Sequence, residues 1–349
     1  MWGQWLGSFN GTSNGEVILN IDKDIENRGR LSTYDSTFNI PARWADIHFS
    51  NASGNISATF IYTSPPTHID NVISPTKGDL KISKLTDTLM EGEWSTDIDT
   101  NGNFTLSKSD ETLSSKAELI LTWDEFTNWL NENKETDFVF RGQRNSEWKL
   151  KTSFHRTGRY DLLRYGNDDV SHLNHFLAPL LNKSFNIADA VEHGALINLA
   201  QHHGFPTPLL DWTESPYIAA FFAFTDVPKD ENKGYVRLFS FNRNDWLADH
   251  QPTMDMLDTK KYFSFHRLLP LYNPRALPQQ SVVTSTNISD IESWLDSITP
   301  VHRKYLTKID IPISERKKVM TELTKMGITS ASLFPGIEGT CKALKEKYF

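Results

Sequence analysis

The stretch that holds the most reactive side chains runs from residue 201 to residue 215 and reads QHHGFPTPLLDWTES. Imidazole and carboxylate groups move protons or stabilise positive charge, and hydroxyl groups and free backbone N–H groups bind anions. Their close spacing predicts a binding or catalytic site. Its candidate residues are His202, His203, Thr207, Asp211, Trp212, Thr213 and Ser215.

A structural interpretation of the same residues stays open. Asp211 and Thr213 would also serve to satisfy backbone groups in a buried turn, and Trp212 would serve as a core anchor. Two adjacent histidines before a glycine are harder to explain by packing, so we expect at least one of them to face a cavity.

Helix signals on both sides predict how this stretch is held. A helix that ends at Gln201 or His202 would use Gly204 as a left-handed cap, and Pro206 would prevent its continuation. Ser215 followed by Pro216 is typical of an N-cap and first helical residue. The apolar run that follows predicts a buried helix. We therefore expect the candidate residues to lie in a tight loop between two helices.

A second candidate group lies on a predicted strand over residues 137–143. Alternation places Phe138 and Phe140 on the core face and Arg141 and Gln143 on the other face. Gly142 would allow a backbone or a ligand to approach closely. Arg141 is then either a paired structural ion or a clamp for an anion.

Two further polar residues, Arg275 and Gln279, precede a β-branched strand and are predicted to face the same site as Arg141. We predict no metal at this site. His172 and His175 have helical spacing, but no third ligand accompanies them in a recognisable motif.

Composition and length narrow the class of protein. The chain has 349 residues, which predicts two domains, and a formal net charge of −8 argues against sequence-independent nucleic-acid binding. Its single cysteine, Cys341, excludes an intrachain disulfide. No stretch has the run of about 18 apolar residues that a membrane span requires. These features favour a cytoplasmic protein without a membrane partner.

The N-terminal third differs in composition from the remainder. Residues 1–110 are rich in Gly, Ser, Thr and Asn with short alternating apolar runs, which predicts an antiparallel β-barrel or sandwich closed by its first and last strands. A polar linker over residues 107–117 precedes a capping box formed by Thr122 and Glu125. We thus predict a multidomain chain, an all-β domain over residues 1–110 followed by an α+β domain over residues 117–349.

The second of these regions resembles the FRG domain family. The resemblance rests on Phe140-Arg141-Gly142, the run from Gln201 to Pro216, Arg275 with Gln279, and the segment from Leu333 to Gly336, and it covers residues 117–349. Three positions depart from the family pattern: many members have arginine where this chain has Pro208, and glycine and phenylalanine where it has Ser281 and Val283. An anion site that used the additional arginine would be weaker here.

The resemblance implies that the protein is an enzyme that uses NAD. Family members occur in bacteria and phages in settings of conflict and defence, and an arginine-glycine pair on an early strand is similar to the NAD-binding arginine of mono-ADP-ribosyltransferases. By that analogy Arg141, Gly142, Gln143, His202, Thr207, Trp212, Thr213, Ser215 and Arg275 are the expected NAD-binding residues. Arg141, His203, Asp211 and Gln279 are the expected catalytic residues.

One feature of those transferases is absent from the sequence. They carry a glutamate on a late strand, where Gln279 or Gln280 lies nearest in this chain, and either would be a poor base. We therefore expect an ADP-ribosyltransferase-like toxin or antiphage effector that modifies a macromolecule, nucleic acid or protein, with the β domain as sensor or targeting unit. The alternative is a non-catalytic module that binds a nucleotide or a peptide.

Overall fold

The computed structural model describes residues 1–37, 40–52, 55–64, 73–109, 112–253 and 257–349, with the backbone alone at residues 40–42. The predicted end of the first domain at residue 110 lies outside these ranges, as does residue 111 of the predicted linker.

The N-terminal region is a closed antiparallel barrel of eight strands, in sequence order around the barrel. Its strands are β1 (Gly3–Gly11), β2 (Gly15–Ile21), β3 (Arg28–Asp35), β4 (Ile40–Ala52), β5 (Asn55–Tyr62), β6 (Lys77–Leu85), β7 (Leu89–Thr96) and β8 (Asn101–Ser107). The first and last strands pair from Leu6 opposite Ser107 to Gly11 opposite Gly102, which closes the sheet. The predicted barrel is confirmed.

Alternation along the strands builds the barrel core. Residues two apart lie on the same face of a strand, so every second side chain points inward. Trp5, Leu19, Ala45 and Met90 are almost completely buried in the resulting apolar cluster. Complete closure leaves no unpaired strand edge, so the barrel satisfies its backbone groups internally.

The second region is built on a seven-stranded sheet with the order β13-β14-β11-β10-β12-β15-β9. Its strands are β9 (Leu119–Ile120), β10 (Phe138–Gln143), β11 (Leu209–Thr213), β12 (Tyr235–Asn242), β13 (Phe263–His266), β14 (Ser281–Thr286) and β15 (Leu306–Pro312). Only the pairing of β9 with β15 is parallel among these strands. The region is α+β, as the sequence predicts.

Helices cover both faces of this sheet. They are α1 (Trp123–Glu132), α2 (Ser153–Arg156), α3 (Leu162–Arg164), α4 (Ser171–Leu181), α5 (Ala190–His202), α6 (Pro216–Phe224), α7 (Arg243–Asp249), α8 (Ile291–Ile298), α9 (Arg316–Lys325), α10 (Ser330–Leu333) and α11 (Ile337–Tyr348), with a π-helical segment at Tyr165–Val170 and a 3₁₀ turn at Ile313–Glu315. One apolar cluster joins α1, α6 and α9 to the sheet, and another joins α7 and α8 to its opposite face. No helix in the described ranges is long and apolar enough to cross a membrane.

Several local predictions are confirmed. Thr122 and Glu125 form the capping box of α1, and Ser215 caps α6 by accepting from the backbone N–H of Ile218. Helix α5 ends at His202, and Gly204 follows with φ of +84°. The left-handed conformation at Gly204 is the one that glycine adopts without steric cost.

The prediction of one loop between α5 and α6 is wrong. Leu209–Thr213 forms strand β11, which pairs with β14 from Leu209 opposite Ser285 to Thr213 opposite Ser281. The alternation of this short run explains the difference, since Leu210 and Trp212 enter one apolar cluster while Leu209 enters another. Asp211 is thus presented by a central strand rather than by a turn.

Polar contacts join the barrel to the second region. The buried Asp22 carboxylate accepts from the backbone N–H groups of Tyr160 at 2.6 Å and Asp161 at 3.0 Å, and from the Arg164 guanidinium at 2.9 Å. The Gln4 amide donates to the carbonyl of Asn287 at 2.6 Å. These contacts hold the two regions together in one structure.

Candidate functional site

The candidate site lies where β10 and β11 separate. These strands pair only at Phe140 opposite Thr213, and a continued antiparallel register would place Gly142 opposite Asp211. Instead, the Arg141 guanidinium donates to the Asp211 carbonyl at 2.6 Å. The side chain of Arg141 therefore occupies the gap that the missing backbone hydrogen bonds leave.

Gly142 keeps helix α6 close to this gap. A Cβ atom at this position would lie 2.0 Å from the carbonyl oxygen of Ala219 in α6, well inside van der Waals contact. The glycine is required so that the backbone of α6 can pack on β10. The close approach that the sequence predicts at this position is therefore made by the backbone of α6.

A cavity of about 390 Å³ opens at the separated strands. Its lining combines polar, charged and aromatic side chains. It is formed by Phe140, Arg141, Gly142, Gln143, Arg144, Trp148, Arg156, Gln201, His202, Asp211, Trp212, Thr213, Ala219, Phe222, Asp226, Gln279, Ser281 and Phe334. A second cavity of about 230 Å³ shares Arg141, Arg156, Gln201 and Asp211 with it and adds Lys151 and Ser153.

Several buried polar atoms around the larger cavity lack partners among the described residues. They are Nε of Arg141, Nε2 of His202, and both Nε2 and Oε1 of Gln143. Gln143 is only 6% exposed. A buried donor or acceptor without a partner costs about 1–3 kcal/mol. Four such atoms around one cavity indicate a place where a polar ligand completes the hydrogen bonding.

Asp211 is held at the site by a chain of side chains. The Thr207 hydroxyl donates to the Gln201 amide oxygen, and the Gln201 amide nitrogen donates to Asp211 Oδ1 at 2.5 Å. Thr207 is fully buried, and its backbone N–H donates to Ser153. The chain fixes the carboxylate beside the gap with one oxygen already engaged.

Burial tunes two titratable groups at the site. It lowers the pKa of Arg141, the neighbouring Arg156 lowers it further, and the Asp211 carboxylate opposes both. Burial also lowers the pKa of His202, with Asp211 opposing and Arg275 and His203 adding to the decrease. His202 is therefore neutral at neutral pH, when it can accept a proton, while an arginine retains its charge in proteins.

Of five further predicted site residues, four lie outside the linings of both cavities, and Trp212 lines the larger one with its indole N–H already engaged. Thr207 positions Gln201, and His203 is exposed at the end of α5 outside both cavity linings. Ser215 caps α6. Arg275 pairs with Glu338 at 2.8 Å and donates to the His202 carbonyl at 3.3 Å. Trp212 donates from its indole to Thr284 at 2.9 Å within the core.

Gln279 and Thr213 do line the cavity, but each already has a partner. The Gln279 amide donates to the Leu333 carbonyl at 3.0 Å, and the Thr213 hydroxyl accepts from the backbone N–H of Ser215 at 3.1 Å. Gln279 thus ties the C-terminal end of α10 to the cavity wall. Arg141, Gln143, His202 and Asp211 are the predicted residues that the structure brings together with unsatisfied or charged groups.

Three aromatic residues of the cavity lining were not predicted from the sequence. Trp148, Phe222 and Phe334 line the cavity, and Phe222 and Phe334 meet edge to face with ring centroids 5.9 Å apart. Phe334 belongs to the Leu-Phe-Pro-Gly segment noted in the family resemblance, which was an available signal. Nothing in the local pattern around Trp148 or Arg156 marks them as site residues.

No group of three His, Cys, Asp or Glu side chains within the described part of the chain is placed to hold a metal ion.

Part of the chain matches a known family. The FRG domain model matches residues 136–232, a span that holds Arg141, Gln143, His202 and Asp211. The predicted FRG resemblance is confirmed for this span. No curated protein and no solved structure matched the chain.

Proposed function

We propose that the cavity at the separated strands binds NAD and that the chain is an ADP-ribosyltransferase-like effector acting on a nucleic acid or a protein. The observation that carries this proposal is the set of unpaired buried atoms on Arg141, Gln143 and His202 around one cavity. In this proposal the protein acts in the cytoplasm as a toxin or antiphage factor, and the barrel serves as its sensor or targeting unit.

The two kinds of side chain in the lining suit the two kinds of group in a dinucleotide. Arg141 and Arg156 contribute guanidinium groups to the lining, and guanidinium forks bind phosphate oxygens in pairs. Trp148, Phe222 and Phe334 provide aromatic surfaces against which a flat base or a nicotinamide ring would stack. Gln143 offers both a donor and an acceptor for an amide or a ribose hydroxyl.

The proposed reaction breaks the bond between the nicotinamide nitrogen and C1′ of its ribose. The electron pair of that bond leaves with the nicotinamide, which becomes neutral, and positive charge develops on the sugar. The Asp211 carboxylate stabilises that charge, as an oriented anion does in a site with little water. An acceptor nucleophile then bonds to C1′ and loses its proton, for which neutral His202 in the cavity lining is the proposed base.

A second candidate function is nucleotide binding without catalysis. It is favoured by Gln279, whose amide is committed to Leu333 where related transferases are expected to carry a glutamate. Asp211 and Asp226 are the carboxylates found in the described lining of the larger cavity. A module with this chemistry would hold the same nucleotide and leave its glycosidic bond intact.

Calorimetric titration of NAD and ADP-ribose into wild type, Arg141→Lys and Arg267→Ala tests the shared part of both candidates. Loss of the bidentate fork in Arg141→Lys should weaken binding by about 1.5–3 kcal/mol, the contribution of a hydrogen bond to a charged group. Arg267 is 81% exposed and lies outside the described cavity linings, so Arg267→Ala should bind like wild type. Unchanged affinity in a folded Arg141→Lys protein would remove the arginine from the site.

Gln143→Met provides a second variant that keeps the fold. Replacing two unsatisfied buried polar atoms by an apolar group of similar length should leave the unfolding free energy unchanged or raise it. The same change should weaken nucleotide binding, because the amide is then missing. Incubation of the wild-type protein with NAD, with nicotinamide release measured by chromatography, separates the two candidates. Release supports the transferase, and tight binding without release supports the binding module.

A further inference from the structure

The barrel contains its own internal cavity of about 110 Å³. Most of its wall is apolar, with Val17, Leu31, Phe60, Leu80 and Phe104 among the lining residues. An apolar cavity of about 150 Å³ is known to accommodate benzene. The barrel cavity therefore has room for an apolar body of about four to six carbon atoms.

The polar residues of the cavity wall lie at one end of the barrel. In an antiparallel barrel the ends of odd-numbered strands and the starts of even-numbered strands meet at the same rim. Thr33, Asp35, Arg43, Tyr62 and Thr96 all lie within a few residues of that rim. The cavity is thus apolar within and polar at one end, which is the pattern of an amphipathic small molecule.

Arg43 is the buried cation at the polar end. It is 5% exposed, and its guanidinium lies over the Tyr62 ring at 4.1 Å. Its Nη1 donates to the Pro75 carbonyl at 2.8 Å and its Nη2 donates to the Ser64 carbonyl at 3.1 Å. Its Nε has no partner in the described ranges, and neither has the hydroxyl of Ser74, which lines the same cavity.

No carboxylate of the described residues forms an ion pair with Arg43. Asp97 accepts instead from the backbone N–H and the hydroxyl of Thr76. Asp35 accepts from the backbone N–H of Thr37. A buried guanidinium bound only by neutral carbonyl groups is costly unless an anion joins it.

We propose that the barrel binds a short-chain monocarboxylate, with its carboxylate on Arg43 and the Ser74 hydroxyl and its hydrocarbon body among Leu80, Phe60 and Phe104. The length of the body is set by the cavity volume, and the sign of the head group is set by the buried guanidinium, which has no ion-pair partner among the described residues. The barrel is then a ligand-binding unit with a site separate from the cavity between β10 and β11.

Titration of the full chain with straight-chain carboxylates from butanoate to decanoate tests this site, with the alcohol of each length as control. We expect the strongest binding near six carbons and at least tenfold weaker binding of the matching alcohol. Arg43→Met keeps the length of the side chain and removes its charge, so it should weaken carboxylate binding at least tenfold. Arg28→Met changes an exposed arginine at the opposite rim, and Arg141→Met changes the other cavity; both should bind like wild type.

Three results would overturn the proposal. The first is that none of these carboxylates binds at 1 mM ligand, which is on the order of the weakest specific affinities. The second is that alcohols and carboxylates bind equally well. The third is that binding is lost in Arg141→Met rather than in Arg43→Met. If circular dichroism shows that Arg43→Met is unfolded, the comparison of carboxylate with alcohol on the wild-type chain decides the charge requirement. Trp94 lines the barrel cavity, so binding of a carboxylate there should change the environment of its indole ring.

Discussion

The barrel and the seven-stranded sheet use the same strand chemistry and leave different amounts of it unsatisfied. In the barrel every strand pairs with both of its neighbours, and the unpartnered buried polar atoms at its cavity are Arg43 Nε and Ser74 Oγ in the described residues. In the sheet β10 and β11 pair at one position, and four such atoms surround the resulting gap. In this molecule the closed barrel therefore encloses a small, mostly apolar cavity, and the separation of two strands in the open sheet forms a larger polar cavity.

The composition of the chain predicts that the two regions, residues 1–110 and 117–349, fold as separate domains. The structure adds buried polar contacts between them, chiefly around Asp22. Ser114 and Ser115 of the predicted linker bind Arg237 of the second region, so we expect any independent boundary to lie before residue 113.

The largest effect is expected from glycines that lie close to the backbone of a neighbouring element in each region. A Cβ at Gly7 would lie 1.9 Å from the Thr105 carbonyl in the barrel, and a Cβ at Gly142 would lie 2.0 Å from the Ala219 carbonyl. Gly7→Ala and Gly142→Ala should each lower the unfolding free energy by about 3 kcal/mol, the upper end of the usual range for overpacking, because the neighbouring atom belongs to the backbone. Scanning calorimetry should show each variant lowering a different transition.

Gly204→Ala is the matched control for these glycines. Its φ is +84°, but a Cβ there would have no atom within 4 Å, so only backbone strain of about 1 kcal/mol is expected. If Gly7→Ala and Gly142→Ala shift one common transition equally, the two regions unfold together and the division into two domains is wrong.

The next largest effect is a pH dependence from His155. This side chain is fully buried, and burial lowers its pKa to about 3, with Lys151 adding to the decrease. The unfolded chain then binds a proton that the folded chain excludes between about pH 6.5 and pH 3. Stability contributed by neutral His155 is thus complete above pH 6.5 and should fall by about 2 kcal/mol on lowering the pH to 5.

Urea unfolding at several pH values checks this prediction. His155→Gln retains a partner for the Thr152 hydroxyl but cannot titrate, so the slope of unfolding free energy against pH should decrease by nearly one proton between pH 6 and 5. His48 is exposed on the barrel, and His48→Gln should leave the slope unchanged. An identical slope in His155→Gln and wild type would contradict burial as the controlling influence.

The sequence predicted those features that depend on neighbouring residues. The capping box of α1, the left-handed Gly204 and the closure of the barrel all follow from local residue types or repeated alternation. The strand at Leu209–Thr213 was missed because five residues between two helix signals carry too little periodicity.

The composition of the site was predictable only in part for a related reason. Arg141 and Asp211 are seventy positions apart, and their contact depends on a pairing that fails after one residue pair. The Trp212 indole lies in the core because its strand alternates toward Phe241 and Phe263. Which aromatic residues line a cavity is decided by such tertiary packing, as with Phe222 and Phe334.

The smallest effect on stability is expected at Asp211, and it sharpens the contrast between a site residue and a structural one. Asp211→Asn keeps an oxygen that can accept from the Gln201 amide, and the carboxylate is only partly buried, so the unfolding free energy should change by less than about 1 kcal/mol. The proposed role of the carboxylate is to stabilise positive charge on the ribose, which an amide cannot do. Nicotinamide release should therefore fall at least a hundredfold, about 2.7 kcal/mol of transition-state stabilisation.

Asp226→Asn is the control. Asp226 is an exposed acid in the cavity lining, and its backbone carbonyl rather than its carboxylate binds Arg144, so this change should alter neither the unfolding free energy nor nicotinamide release. A large loss of melting temperature with retained NAD binding would instead make Asp211 a structural acid and leave nucleotide binding as the function of the cavity.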